Sequence, residues 1–277
     1  MADLINLNYA KALLRITDTN SDALLTTLVS AASAAVEKYC RQPFAVGRYV
    51  ELYDASTQPW LMLRHAPVVQ LNSVTVYPEQ PNVLLYTPDN FDVRPQLGRV
   101  AFKPAVPGAF FTEYAAAMTF PGWGVDVTQV DYYAGYGFLT TSVGAIAAGP
   151  ATVTPALTTG YANGQPWQIG VGSVLIIDSA TAAEEVVTVT VVAPGTFTAT
   201  FANNHAAGCA LCGMAVPNDV QLATGLLTAN IYNQPDLTKL RESMGKTIGY
   251  EYAVRPGTLF FTPEILALLN PYRDVVV

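Results

Sequence analysis

The sequence predicts an α+β protein: helices at both ends, antiparallel β-hairpins after the first helix pair, and a small all-β region set into the second half. Three observations carry this expectation. Apolar residues recur at helical spacing over 22–40 and 217–233. Between residues 48 and 133, short runs of β-branched and aromatic residues alternate with Pro, Gly, Asn or Asp. Residues 138–215 then hold no Lys or Arg and are rich in Ala, Thr, Gly and Val.

Residues 6–16 fit a short helix, with Asn6 or Asn8 as cap and Leu7, Ala10, Leu13 and Leu14 on one face. The string "TDTNSD" breaks it and supplies a second cap. From Asp22 to Cys40 the apolar positions are Leu24, Leu25, Leu28, Val29, Ala32, Ala35, Val36 and Tyr39, a helix whose Ala-rich part lets another backbone approach. Pro43 marks its end. Strands are expected at 48–53, 60–64, 70–77, 83–86, 91–94, 99–103 and 127–133, the last alternating Val127, Gln129 and Asp131 against Thr128, Val130 and Tyr132.

The strand ending in "VDYYAGY" should lead into the helix at 217–233, yet roughly eighty residues intervene, far more than an ordinary connection. Within them "SVLIIDS", "EEVVTVTVV" and "GTFTATF" read as three strands. We therefore expect two domains: residues 1–137 with 216–277, and an inserted β-domain at 138–215. After the gap, Pro217 starts a helix carrying Val220, Ala223, Leu226, Leu227 and Ile231 on one stripe, and Thr262-Pro263-Glu264 starts a last one over Pro263–Leu269.

Composition narrows the function. The 277 residues are 51% hydrophobic and only 13% charged, with 15 Tyr, 11 Phe and 3 Trp. Soluble domains carry about a quarter charged residues, so much of this surface is expected to be covered by partners. The net charge of −7 excludes a DNA clamp built on clustered Lys and Arg. An acidic lining instead repels phosphate and lets a duplex slide past. No apolar run is long enough for a transmembrane helix, and the N-terminus does not read as a secretory signal. Cys40, Cys209 and Cys212 make an odd number without a disulfide pattern, which suits a reducing cytoplasm or export within something larger.

No complete catalytic motif stands in the sequence. Cys209 and Cys212 form a CxxC with His205 four residues before it, but a zinc site needs a fourth ligand and His65 is distant in sequence. Both Cys read as buried small hydrophobes. No G-x-S-x-G, P-loop or H-E-x-x-H string occurs. Glu184 and Glu185 are strand neighbours that point to opposite faces, so they read as a solvated strand edge rather than a catalytic pair. Trp60, Trp123, Tyr132, Tyr133 and Tyr136 read as cross-strand packing. No catalytic, cofactor-binding or metal-ligating residue is assigned. A carbohydrate- or surface-binding β-module remains an alternative, with Phe138, Tyr161, Trp167, Phe197 and Phe201 as its aromatic residues; an enzyme would need a site the sequence does not display.

Five stretches, in order, resemble the head–tail connector (adaptor) proteins of long-tailed bacteriophages. The first carries Lys11, Leu14, Arg15 and Ile16, a D-rich break, and a long helix ending near Arg41-Gln42-Pro43-Phe44. The second is "WLMLRHAPVVQLNSVTVY", with Leu61, Leu63, Pro67, Val68, Ser73 and Val74; the third is Ala134-Gly135-Tyr136. The fourth is "VPNDVQLATGLLTANIYNQ", and the fifth "ESMGKTIGYEYA" with the closing "ILALLNPYR". The pattern is intact on both sides of 138–215 and absent within it. The resemblance implies a structural ring of the phage neck, a dodecamer in the well-studied members, made in the host cytoplasm. Its portal-bound ring extends the DNA channel, passes DNA without reading its sequence, and receives a stopper or tail-completion protein.

A ring of this kind has heterologous interfaces. Ala31, Ala32, Ala35, Val220, Ala223 and Leu227 are the expected lateral-packing residues, with the subunit's own core as the other reading. Tyr272, Arg273, Val275, Val276 and Val277 are expected to dock on the portal, with a frayed terminus as the other reading. The 138–215 segment is expected to project outward from the ring.

Overall fold

The structure, a computed structural model, describes residues 3–55, 58, 60–77, 84–103, 120, 124–162, 164–233 and 261–273. It confirms a mixed helix-and-sheet protein. Contacts divide the chain into two compact units, Met1–Pro43 with Val216–Val277, and Phe44–Ala215. The boundary expected at 137/138 lies inside the second unit.

The first unit is helical: α1 (Leu7–Leu14), α2 (Asp22–Cys40), α3 (Asn218–Tyr232) and α4 (Pro263–Leu269), the last continued by a 3₁₀ turn at Asn270–Tyr272. Asn6 caps α1 by accepting the Tyr9 N–H at 2.8 Å. Arg15 ends it in the left-handed conformation at φ 57°. Helix α2 buries Leu25, Val29, Ala32, Val36 and Cys40, one stripe at helical spacing. Helix α3 buries Val220, Ala223 and Leu227 together with Thr224 and Thr228. Those two hydroxyls donate to the Val220 and Thr224 carbonyls at 2.8 Å, so neither is left unpaired in the core.

Among the described residues, the regular elements of the second unit are strands and short 3₁₀ turns. Its first part holds β1 (Gly47–Tyr53), β2 (Trp60–Met62), β3 (Val68–Val76), β4 (Leu84–Tyr86), β5 (Phe91–Arg94), β6 (Arg99–Phe102) and β7 (Thr128–Ala134). These form an antiparallel sheet in the order β1-β7-β3-β4 and a smaller one in the order β2-β6-β5. Strand β7 is central: Tyr132 lies opposite Tyr49 on β1 and Leu71 on β3. Val74, Phe91, Val100, Phe120, Val130 and Tyr132 join in one core.

The remaining strands are β8 (Gly137–Thr141), β9 (Gly149–Val153), β10 (Thr159–Ala162), β11 (Gln165–Gln168), β12 (Val174–Ile177), β13 (Glu185–Thr188), β14 (Val191–Ala193), β15 (Thr196–Phe201) and β16 (Ala210–Met214). They make sheets β13-β12-β16-β8 and β14-β15-β9, plus the hairpin β10-β11. The three strands expected here are present, but 185–193 is two strands in different sheets, and five more surround them. The extra ones are four or five residues long and carry Gly, Ala or Pro, poor strand formers, which hides them from a propensity reading. Phe138, Trp167, Leu175, Ile177, Phe197 and Leu211 share a core drawn wholly from this segment. Phe138 and Trp167 stack at 3.9 Å with 6° between ring planes.

The ends of the segment meet. Gly137 on β8 pairs with Met214 on β16. Just outside that pair, Tyr136 donates its N–H to the Phe44 carbonyl at 2.9 Å and accepts the Ala215 N–H at 3.0 Å. Gly135, at φ 134°, donates to the Pro67 carbonyl at 2.9 Å. A Cβ at Gly135 would overlap the Ala45 backbone carbonyl. Gly135→Ala is therefore expected to destabilise the second unit by about 1–3 kcal/mol, read as a lower urea midpoint at unchanged slope.

Candidate functional site

The residues that carried the resemblance have structural work in the helical unit. Leu4, at the start of the described chain, donates its N–H to the buried Ser33 hydroxyl at 3.0 Å. Lys11 donates to the Asp18 carbonyl and to the Asp22 carboxylate, both at 2.6 Å, and so ties α1 to the break and to the first turn of α2. A carboxylate at that helix start is favourable in its own right. Arg41 ends α2 in the left-handed conformation at φ 59°. Gln42 donates its side-chain amide to the Tyr272 carbonyl.

The C-terminal residues expected to dock a partner are held by their own helices. The Tyr272 hydroxyl donates to both oxygens of Asp219 on α3, at 2.8 and 2.7 Å. The Arg273 guanidinium sits 5.5 Å over the Tyr39 ring, and Tyr39 donates to Asn270 at 2.7 Å. Arg273 is exposed, and Val275, Val276 and Val277 lie outside the described residues. Of the six expected lateral-packing residues, Ala32, Val220, Ala223 and Leu227 are buried inside the unit itself. Periodicity marks a face as covered without saying by what, and here the subunit covers its own. Ala31 is exposed and Ala35 half-buried. They lie on a stretch of α2, residues 23–36, with no charged side chain and with Leu24 54% exposed.

The first sheet of the second unit holds a polar cluster that sequence reading missed. Glu51 accepts the Tyr53 and Tyr132 hydroxyls at 2.5 and 2.7 Å. His65 lies 3.3 Å from the other Glu51 oxygen and stacks on Tyr49 with centroids 3.9 Å apart. Burial, with Glu51 beside it, pushes Tyr53 up to about 12 and Tyr132 further, so both stay hydrogen-bond donors. On the same sheet Arg48 grips Asp131 through Nε at 2.9 Å and Nη2 at 2.6 Å. Burial opposes the Asp131 charge, but the bonds from Arg48 and Asn72 prevail and hold the carboxyl below its usual range.

A second cluster lies within 138–215. The His205 side chain is fully buried, with Nδ1 2.7 Å from Asp178 and Nε2 2.7 Å from Glu185. Glu185 also accepts the Ala202 and Asn203 N–H groups, at 2.6 and 3.1 Å. It is thus a buried tie, not the solvated strand edge expected. Glu184, its exposed neighbour, accepts the Ala180 N–H at 2.6 Å. Because both imidazole nitrogens are taken by carboxylates, neither is free to activate Ser142 or Cys209. The carboxylates sit at opposite nitrogens and do not converge, and no cluster able to hold a metal occurs among the described residues. The Cys209 thiol donates to Ser142 at 3.1 Å, while burial pushes Cys212 up to about 12, with Glu184 and Asp178 adding to it. These are packing thiols. Of the five aromatic residues in the segment, Phe138, Trp167, Phe197 and Phe201 are buried and only Tyr161 is exposed, so no aromatic platform faces outward here.

Tyr272→Phe removes the bond that joins the C-terminal turn to α3. It should lower the stability of the helical unit by about 1–2 kcal/mol, measured by chemical denaturation followed at 222 nm.

Comparisons with known proteins fall on this architecture as follows. No curated protein matches the chain. A solved structure, from the neck of an empty GTA particle computed with C6 symmetry, aligns over 99% of this chain and 91% of its own at 14% identity, with a TM-score of 0.42. Residues 4–66, which run from the Leu4–Ser33 bond through α1, α2 and β1, match the family described as phage gp6-like head-tail connector protein.

Proposed function

We propose that the protein is a non-enzymatic structural component of a phage neck: a connector that assembles as a homo-oligomeric ring of twelve subunits between the portal and the stopper or tail. The carrying observation is the family match over residues 4–66. Those residues include the Lys11–Asp22 tie and the α2 surface left uncharged from residue 23 to 36. In this reading the exposed strip of α2 around Leu24, Ala31 and Ala35 packs against the neighbouring subunit, since Ala32, Val220, Ala223 and Leu227 are used internally. Arg273 and the valines at 275–277 meet the portal, with Tyr272 fixing their point of departure through Asp219. The ring surrounds DNA without binding its sequence, consistent with a net charge of −7. The virion neck is its location, and the 138–215 segment projects away from the channel.

Native mass spectrometry with and without portal tests this reading. A ring, alone or on the portal, is the expected species; a monomer that ignores the portal overturns it. Ala31→Glu is expected to leave the monomer's stability within about 0.5 kcal/mol, as for other surface changes, and to abolish the ring. Deleting residues 274–277 is expected to leave the ring and abolish portal capture.

A further inference from the structure

We propose that Asp178, His205 and Glu185 form a proton-operated latch, which holds the loops of the 138–215 segment together while the imidazole carries two protons and loosens them when it carries one. The inference does not depend on the connector reading.

Hydrogen-bond capacity distinguishes the two protonation states of the ring. A neutral imidazole has one N–H donor and one bare lone pair, whereas an imidazolium has two donors. His205, its own side chain fully buried, faces an acceptor at each nitrogen, both at 2.7 Å, from carboxylates that are half-buried. Two charged carboxylates are satisfied only by the doubly protonated ring. Losing one proton sets a lone pair against a carboxylate and leaves two negative charges without the cation between them, an arrangement costly in a low-dielectric interior. No Lys or Arg occurs anywhere in 138–215, so no other cation of the segment takes its place.

The surrounding groups agree. From the turn after β12 come Asp178 and Glu184, and from β13 comes Glu185. Cys209 before β16 and Cys212 on it are thiols whose pKa burial raises. The 142–146 loop contributes Ser142 and the Ile146 backbone pairing to His205; Phe201 presents a ring edge at 6.1 Å. Arg48, across a cleft of about 280 Å³ that Asp178 also lines, is committed to Asp131. Burial alone would lower the His205 pKa, but the bonds to Glu185 and Asp178 outweigh it and raise it above 6.5. Burial likewise opposes the Glu185 charge, and His205 with the two backbone donors holds its carboxyl below 4.5. The histidine contribution is thus complete below 6.5 and lost as pH rises through the raised folded value; the Glu185 contribution is complete above 4.5 and lost as pH falls through the lowered one. The latch is closed between those limits.

What the latch holds is defined by its partners. Asp178 anchors the β12–β13 turn. Glu185 bridges to the Ala202 and Asn203 amides, and His205 pins the 142–146 loop. Opening loosens the rim of the cleft formed by Asp178, Ser179, Thr181, Gly208 and Cys209.

The test is amide hydrogen exchange by NMR on the intact protein, alongside the ring resonances of His205, from pH 5 to 9. After correction for intrinsic exchange, protection of Ala202 and Asn203 should fall at least tenfold at the same midpoint at which the ring titrates, above 6.5. His205→Gln should abolish that pH-dependent step. If that variant does not fold, Asp178→Asn decides. Its amide can donate to Nδ1 of a neutral ring whose Nε2–H still serves Glu185. The expected result is a folded protein with a lowered His205 midpoint and flat protection across the range. A His205 ring that stays neutral throughout, or protection that is unchanged across its titration, overturns the latch.

Discussion

The second unit depends on the backbone clasp at Tyr136. The chain enters this unit at Phe44 and leaves it at Ala215, and Tyr136 hydrogen-bonds both, by N–H to one and by carbonyl to the other. Gly135 beside it is pressed so closely on Ala45 that no side chain fits. This fixes where β7 stops and β8 starts. Strand β7 is the one flanked by both β1 and β3, so its register places Tyr132 over Glu51 and Asp131 against Arg48. β8 in turn sets β16 and, through it, β12. The polar clusters on either side of the clasp are downstream of that geometry. Backbone groups are obligatory hydrogen bonders, which makes such a junction intolerant of a slip by one residue.

Charge is distributed unevenly along the chain, and the structure gives this a physical meaning. Between residues 138 and 215 the acidic side chains are Asp178, Glu184 and Glu185, and all three act as hydrogen-bond acceptors in one corner, around His205. The rest of the segment's surface is uncharged, mostly Thr, Ala, Gly, Val, Asn and Gln, with Leu157 and Tyr161 exposed among them. A surface of this kind meets another without the cost of burying unpaired charges. The helical unit follows a different rule: its ions pair locally, Lys11 with Asp22, while the middle of α2 is left neutral.

The helices were legible because their spacing repeats over two turns or more, and the stripe Leu25, Val29, Ala32 and Val36 is the one α2 buries. The hairpins of 47–102 were legible because Pro, Gly and Asn punctuate them. What escaped was whatever depends on distant partners. Asp178, Glu185 and His205 are separated by 20 and 27 residues, and no local spacing announces them. Glu184 lies in the turn before β13 and only Glu185 on the strand, so strand parity does not decide which of the two meets the buried histidine. Glu51 meets Tyr132 only through the β1–β7 register. Ala32 and Ala223 show the converse limit: an apolar face was recognised, and its covering was the protein itself. The strands β8 to β11 and β16 are four or five residues long, too brief for any period to emerge.

The pairing of Gly137 with Met214 bears on how much chain the strands can carry. Seen from the rest of the chain, everything between those two residues is the tip of a hairpin whose legs are one ladder spacing apart, roughly 5 Å. The entropic cost of closing such a tip grows only with the logarithm of its length, about 0.6 kcal/mol per doubling. The span between Gly137 and Met214 is some four doublings of a four-residue turn, so closing it costs the strands that bear it only about 2–3 kcal/mol more than a tight turn would.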